Sequence, residues 1–456
     1  MNREYSSFRD PSGYVFEEEG IIYRQINNVY KEHFDCLINS GLYETLVKSN
    51  LIVRHKTVEK EGISDNKYLV ISPEKIPFIS YPYEWSFDAY RDAALTTLKI
   101  QEIALNHGMT LKDASAYNIQ FVKGRPVLID TLSFEIYKEG HPWIAYGQFC
   151  RHFLAPLMIM ARVDVQLGKM MMNHIDGIPL DVAKKVLKGR GGFAAWLHIK
   201  MQARSIAKHE KQKNVSNRKN VKMNLPKSRQ IAIVQSLART VTNLKMKNRQ
   251  TEWGDYYNIT NYNESSFGLK ENLVKQYFEK IGQTKMTWDF GANDGTFSRI
   301  ALKNSQLVVA FDIDPIAINK NYNDIKKSKE KMLPLLLDLT NPSPSIGFAN
   351  QERKSIDQRS KPDVIIMLAI IHHLAISNNL PFEMLAQWLS TLCKYLIIEF
   401  VPKTDSQVEW MLSTREDIFV NYNIEKFEEV FLRYFNISEK NNIEGSNRVL
   451  YLFCCK

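Results

Sequence analysis

The 456-residue chain has no apolar run approaching the ~20 residues needed to cross a bilayer, which excludes a helical membrane span on pattern alone. Its start, MNREYSSFRDPSGYVFEEEG, lacks the apolar stretch of a secretory leader, so the expectation is a cytoplasmic protein. Cysteine is sparse. Cys36, Cys150, Cys393, Cys454 and Cys455 share no metal-ligand spacing, so no metal is expected and a reducing compartment fits. Two nucleotide signatures are also missing: no G-x-G-x-x-G follows a strand, and no Gly-Lys-Ser/Thr marks a phosphate loop.

Acidic residues are nearly absent from one stretch. Between Arg204 and Arg229 there are nine Lys or Arg against a single acid, Glu210, within a chain of net charge +10. Such a run could steer nucleic acid or an anionic surface. It has no aromatic interleaving, and a solvated linker is the favoured expectation.

Three regions follow from pattern: a mixed helix-strand region over 1–205, a basic helical linker over 206–245, and a region over 246–456 in which short apolar runs alternate with helical ones. That alternation predicts a parallel α/β sheet. Strands are expected at 287–290, 307–313, 332–339, 363–370 and 394–401, a helix at 382–393, and a closing hairpin from Asn436 to Cys455. The expected architecture is a doubly wound sheet of about seven strands.

The stretch TWDFGANDGTFS (287–298) ends a strand, turns through Gly291 and Gly295, and enters a helix. Glycine there permits positive φ and close backbone approach to a ligand over the strand ends. The surrounding carboxylates disfavour a pyrophosphate and suit a cation. Asp289 precedes the turn, Asp294 lies in it, Asp312 ends the second strand and Asp338 the third. A carboxylate such as Asp312 would accept hydrogen bonds from a ribose diol, and Asp338 is placed to meet an adenine amino group.

Taken in order, DFGANDGTFS, VVAFDID, LLDLTNP and LAIIHHLA resemble the motifs of class I S-adenosylmethionine-dependent methyltransferases, and residues 369–408 are similar to a group of methyltransferase-like proteins that includes rhizobial nodulation proteins. The resemblance implies a Rossmann-like seven-stranded methyltransferase sheet with S-adenosylmethionine as cofactor. By position, Asp289, Gly291, Asn293, Asp294 and Gly295 would shape the methionine and ribose pocket. Asp312 would hold the ribose hydroxyls, with Ile313 on the adenine, Asp338 and Leu339 at its edge, and Leu368 and Ala369 under the methionine.

Methyl transfer needs alignment and exclusion of water, and a base where the acceptor is a hydroxyl. His372 and His373 after the fourth strand, and Glu399 ending the fifth, are the catalytic candidates. The Asn/Asp-Pro-Pro-Tyr pattern associated with methylation of exocyclic or amide nitrogen is absent after the fourth strand. The acceptor expected is a hydroxyl of a saccharide or small metabolite, the alternatives being RNA or protein. Trp253, Tyr256, Tyr257 and Tyr262, just before the first strand, could form a lid or a packed surface element.

In the N-terminal region, Asp113 stands five residues before Asn118 and seventeen before Asp130. That spacing resembles the catalytic loop and metal-binding Asp of the aminoglycoside-phosphotransferase branch of the protein-kinase-like fold. The resemblance implies an α+β kinase-like domain. With no His-Arg before Asp113, no glycine-rich loop, no assignable lysine and Asp-Thr-Leu for Asp-Phe-Gly, a degenerate domain serving recognition is the expectation. A kinase or regulatory binding protein without methyl transfer is the rival of another class.

Overall fold

The computed structural model describes residues 2–62, 64–190, 195–202, 225–246, 264–413 and 415–456. The four lid aromatics and most of the basic run lie outside the described residues. Two compact units divide the chain: residues 1–248 with 345–353, and residues 249–344 with 354–456. Among the described residues no helix is long and apolar enough to cross a membrane.

In the first unit, strands β1 (Asn2–Arg3), β2 (Gly13–Glu18), β3 (Ile21–Asn27), β4 (His55–Val58) and β5 (Lys67–Pro73) form an antiparallel sheet in the order β1-β2-β3-β5-β4. Two helices, Lys31–Asn39 and Leu42–Lys48, intervene between β3 and β4. They part at Gly41, whose φ of +73° suits glycine. Ser86 caps a long helix, Phe87–Asn106, which buries apolar residues at three- and four-residue spacing, among them Tyr90, Ala94, Leu98 and Leu105.

Two small antiparallel ladders follow: β6 (Met109–Leu111) with β9 (Phe134–Ile136), and β7 (Ile119–Val122) with β8 (Arg125–Leu128). The described half of the expected helical linker is packed rather than solvated. Residues Lys227–Thr242 form a helix packed on the 87–106 helix, where Gln235 bonds Glu102 at 2.8 Å. Its buried Val234, Leu237 and Val241 explain this, for they make one apolar stripe amid the charge.

The second unit is the seven-stranded sheet. Its strands are β10 (Thr284–Phe290), β11 (Ser305–Asp312), β12 (Met332–Leu336), β13 (Val364–Met367), β14 (Tyr395–Phe400), β15 (Phe435–Asn442) and β16 (Val449–Cys455). They lie in the order β12-β11-β10-β13-β14-β16-β15. The first five are parallel, and β16 runs antiparallel to β14 and β15. Strands β11 to β14 carry mostly apolar runs, as strands covered on both faces do, while β10, TKMTWDF, alternates polar and apolar residues. The order reverses between β10 and β13, and it is beside such a switch point that open α/β sheets bind ligands. Trp288, Phe290 and Phe311 pack edge to face or tilted in the core, with Trp388 of the Phe382–Leu392 helix stacked on Phe290.

Candidate functional site at the carboxyl edge of the second sheet

Strand register sets which residues meet. Phe290 lies opposite Phe311 and Met367, and Asp312 opposite Leu336. Residues following each of these emerge at one edge: the 291–295 turn, Asp312 with Ile313, Asp338 with Leu339, and Leu368 with Ala369 and the two histidines.

The turn is built from backbone geometry. Gly291 has φ +75° and Gly295 φ +84°, and Asn293 between them is also left-handed at +48°. The amides of Gly291 and Ala292 both donate to the Phe311 carbonyl at 2.9 Å, bending the chain across the end of β11. A Cβ on Gly291 would sit 2.4 Å from Ile370 Cγ2, and one on Gly295 would sit 2.7 Å from Asn321 Nδ2. Glycine is thus required twice over, by conformation and by space.

The four aspartates separate into two kinds. Asp294 Oδ1 accepts from the Thr296 amide at 3.2 Å and its hydroxyl at 2.8 Å. Asp338 does the same for Thr340, at 2.9 and 2.7 Å. Both shape the turns after their strands. Asp289 and Asp312 are instead buried. Asp289 Oδ2 accepts from Ser298 Oγ at 2.6 Å, and burial pushes its carboxyl up to about 7 despite that bond. Asp312 receives the Asn293 amide on Oδ2 at 2.8 Å and the Asp314 amide on Oδ1 at 2.9 Å. Burial still pushes it up to about 6.

A carboxylate offers about four acceptor positions, so two amides leave room for both hydroxyls of a diol. Ile313 beside it is exposed, Leu339 is half-buried, and Leu368 is buried. Ala369 is held at φ +54°, a left-handed conformation unusual for alanine.

His372 and His373 begin the helix after β13, with ring centroids 4.2 Å apart, and a π-helical turn over His373–Ser377 follows. His372 is buried, and its Nδ1 has no hydrogen-bond partner among the described residues. Burial drives His372 well below the ordinary imidazole range, helped by His373, Arg448 and Lys270. Burial lowers His373 to about 4, with Arg448 adding to it. Both rings are therefore neutral near pH 7.

Glu399 does not stand at an open rim. It is completely buried, one residue inside the end of β14, and bonds Lys270 at 2.6 Å and Arg448 at 3.4 Å. Arg448 also binds Asp405 at 2.7 Å. Lys270, Arg448, Asp405 and Ser298 escaped the reading of the sequence. A signal for Lys270 did exist: it shares a helix face with Val274 and Phe278 in Glu264–Ile281, where a charge among buried apolar residues stands out.

A second polar cluster lies within the first unit. Asp113 Oδ1 accepts from the Ser115 amide at 2.9 Å and from Gln148 Nε2 at 2.7 Å, and burial together with Asp130 pushes its carboxyl upward. Asn118 donates to Ser133 Oγ at 3.3 Å, and Ser133 donates to Asp130 at 2.7 Å. Asp130 is also paired with Arg24 of β3 at 2.9 Å. Arg24 and Lys112 both face Asp10, at 3.4 and 3.6 Å.

No family model matches the chain. Nodulation protein NoeA of Rhizobium meliloti strain 1021 is 32% identical over 458 residues, spanning 99% of this chain and 96% of the relative. Among solved structures, N-methyltransferase NodS of Bradyrhizobium japonicum WM9 overlaps 42% of this chain and 98% of its own, at 10% identity and a TM-score of 0.32. Magnesium protoporphyrin IX methyltransferase of Synechocystis PCC 6803, crystallised with bound S-adenosylhomocysteine, overlaps 44% and 91%, at 14% identity and a TM-score of 0.30. Structural likenesses of that size carry no argument about chemistry.

Proposed function

The chain belongs to the family of nodulation protein NoeA, and from that premise we propose that its second unit is an S-adenosylmethionine-dependent methyltransferase acting on a hydroxyl of a saccharide or similar small metabolite. The observation that carries the reading is Asp312. It is a buried carboxylate at the end of the second strand, clasped by an amide of the glycine turn and still able to accept a diol.

S-adenosylmethionine, when bound, supplies an electrophilic methyl on a sulfonium. The chain's own residues do the rest. The 291–295 turn lets backbone approach the ligand, Asp312 orients the ribose, and the exposed Ile313 offers an apolar surface for the adenine. Asp289, with Lys270 and Ser298 around it, sets the potential beneath the turn. Asp294, Asp338, Leu339, Leu368 and Ala369 line or shape the same edge.

Neutral His372 and His373 are acceptors that can take a hydroxyl proton as the alcohol attacks. His372 is the stronger candidate, because its buried Nδ1 is without a partner among the described residues. Glu399 acts by position, balancing the charges of Lys270 and Arg448.

For the first unit we infer a kinase-like frame that does not transfer phosphoryl groups. Asp113, Asn118 and Asp130 gather around Ser133 and Gln148, which supports the likeness. Arg24 supports the loss of activity, since its guanidinium stands against the carboxylate that would hold a metal.

Calorimetry on the full chain tests both readings. Binding of S-adenosylmethionine that Asp312→Ala abolishes is the expected result. Binding of ATP and magnesium that depends on Asp130, with no methyl donor bound, would overturn them.

A further inference from the structure

Between β14 and the Ile424–Phe431 helix the chain makes a braced excursion at the same sheet edge. Its helix, Ser406–Ser413, buries Val408 and is anchored from below. Arg448 holds Asp405 at 2.7 Å, and Lys403 bonds both carboxylate oxygens of Asp417 at 2.8 and 2.7 Å. It is also tied to the turn that continues from the histidines. Arg415 Nη1 donates to the Ile376 carbonyl at 2.7 Å, and Ser377 Oγ lies 3.8 Å from Met411 Sδ. This element thus packs on the end of the π-helical turn that His373 begins.

On this support three large apolar side chains are exposed, Trp410, Ile418 and Val420, and only the first is aromatic. Trp410 is 62% exposed, the one exposed tryptophan among the described residues. A large indole fixed in water at the sheet edge that carries the site is a recognition surface awaiting a face to cover it.

Charge selects the face. Both basic residues of the excursion are engaged, Lys403 by Asp417 and Arg415 by a carbonyl. Glu409 and Glu416 are exposed and have no cation opposite them among the described residues. An indole flanked by free carboxylates repels polyanions. It suits a ring with an apolar C–H face and hydroxyl or amine donors at its rim.

We propose that Trp410 is the platform on which the methyl acceptor stacks, and that this acceptor is an uncharged or amine-bearing saccharide ring rather than a nucleic acid. The proposal rests on the methyl-transfer reading and adds the acceptor's subsite to it. Glu409 and Glu416 supply hydrogen-bond acceptors around the platform.

The experiment uses the full chain and its Trp410→Ala and Trp410→Phe variants. Each is titrated calorimetrically with neutral and amine-bearing oligosaccharides of two to five rings, with transfer RNA as the polyanion, and with S-adenosylmethionine. The expected result is saccharide binding weakened by about tenfold or more in Trp410→Ala, the scale of one aromatic stacking contact, and largely kept in Trp410→Phe. Donor affinity stays unchanged in both, which also reports that the variants are folded. Saccharide binding that is absent, or indifferent to Trp410→Ala, overturns the proposal, as does RNA binding that Trp410→Ala abolishes. Failure of the wild-type chain to bind the donor would instead sink the methyl-transfer reading beneath it.

Discussion

Lys270 Nζ lies 2.6 Å from Glu399 Oε2, both side chains buried, with Arg448 against the carboxylate's other oxygen at 3.4 Å. Burial pulls the Lys270 ammonium below its ordinary range, and Glu399 only partly restores it. Removing one member leaves an uncompensated buried charge. Glu399→Leu should therefore destabilise the second unit by roughly 3–5 kcal/mol. Lys270→Met should cost less, since Arg448 still faces Glu399. The double variant should lose less than the sum of the singles. Urea denaturation followed at several wavelengths checks the ordering, and strict additivity would contradict the coupling.

Donor affinity should rise with pH. Asp312 and Asp289 titrate near 6 and 7 because burial disfavours their charged forms. Both are raised above the unfolded carboxylate range. Their contribution to stability is complete at low pH and lost as pH climbs through 6 to 7. Diol recognition needs the ionised carboxylate, so the trends oppose: between about pH 4 and 7 the fold weakens while S-adenosylmethionine binds more tightly. Calorimetry in buffers of different ionisation enthalpy should detect proton release on binding below pH 7, reduced in Asp289→Asn. A flat affinity profile would rule this out.

Gly291→Ala should fail where ordinary loop glycines tolerate alanine. The new methyl would sit 2.4 Å from Ile370 at a φ of +75°. Ile370→Ala relieves the clash but not the backbone strain, which is of order 1–3 kcal/mol. Thermal melts should therefore show partial rescue by the second substitution. Full rescue would mean that the conformation at 291 is unimportant.

In the first unit, Arg24 and Asp130 make the equivalent test. Arg24→Met should leave donor binding in the second unit unchanged and free the Asp130 carboxylate, whose other partners among the described residues are the Leu132 amide and Ser133. Manganese titrations followed by electron paramagnetic resonance should then detect binding in Arg24→Met and none in the wild type. Equal binding in the two would show that the guanidinium does not exclude the metal.

Most of the second sheet was legible because β11 to β14 are covered on both faces and read as mostly apolar runs. The expected strands at 287–290, 307–313 and 394–401 fall on β10, β11 and β14 to within a few residues. The hairpin of β15 and β16 was legible too. Site chemistry was less so. Motif position alone cannot separate Asp294, which caps a threonine, from Asp312, which is clasped by two amides, because that difference lies in backbone N–H directions. Nor could it tell that Glu399 faces Lys270, a residue 129 positions away in the chain. A helical linker was expected over 206–245, but the packing of Lys227–Thr242 was hidden by the charge around it, and the stripe of Val234, Leu237 and Val241 carried that signal.

His372 separates a structural histidine from a catalytic one. A packed histidine with both nitrogens satisfied would destabilise the protein when removed. His372 has a buried Nδ1 without a partner among the described residues. Leaving such a group unsatisfied is costly, so an apolar replacement of similar size should be neutral or stabilising. His372→Leu is therefore expected to melt no lower than the wild type and to bind S-adenosylmethionine equally well. It should lose about 10²–10⁴ in acceptor-dependent formation of S-adenosylhomocysteine, the range of general-base contributions. Because both rings are held neutral, with His373 near 4, histidine titration should not bend the rate profile between pH 6 and 9. A variant that melts lower while keeping its turnover would assign His372 to the core instead.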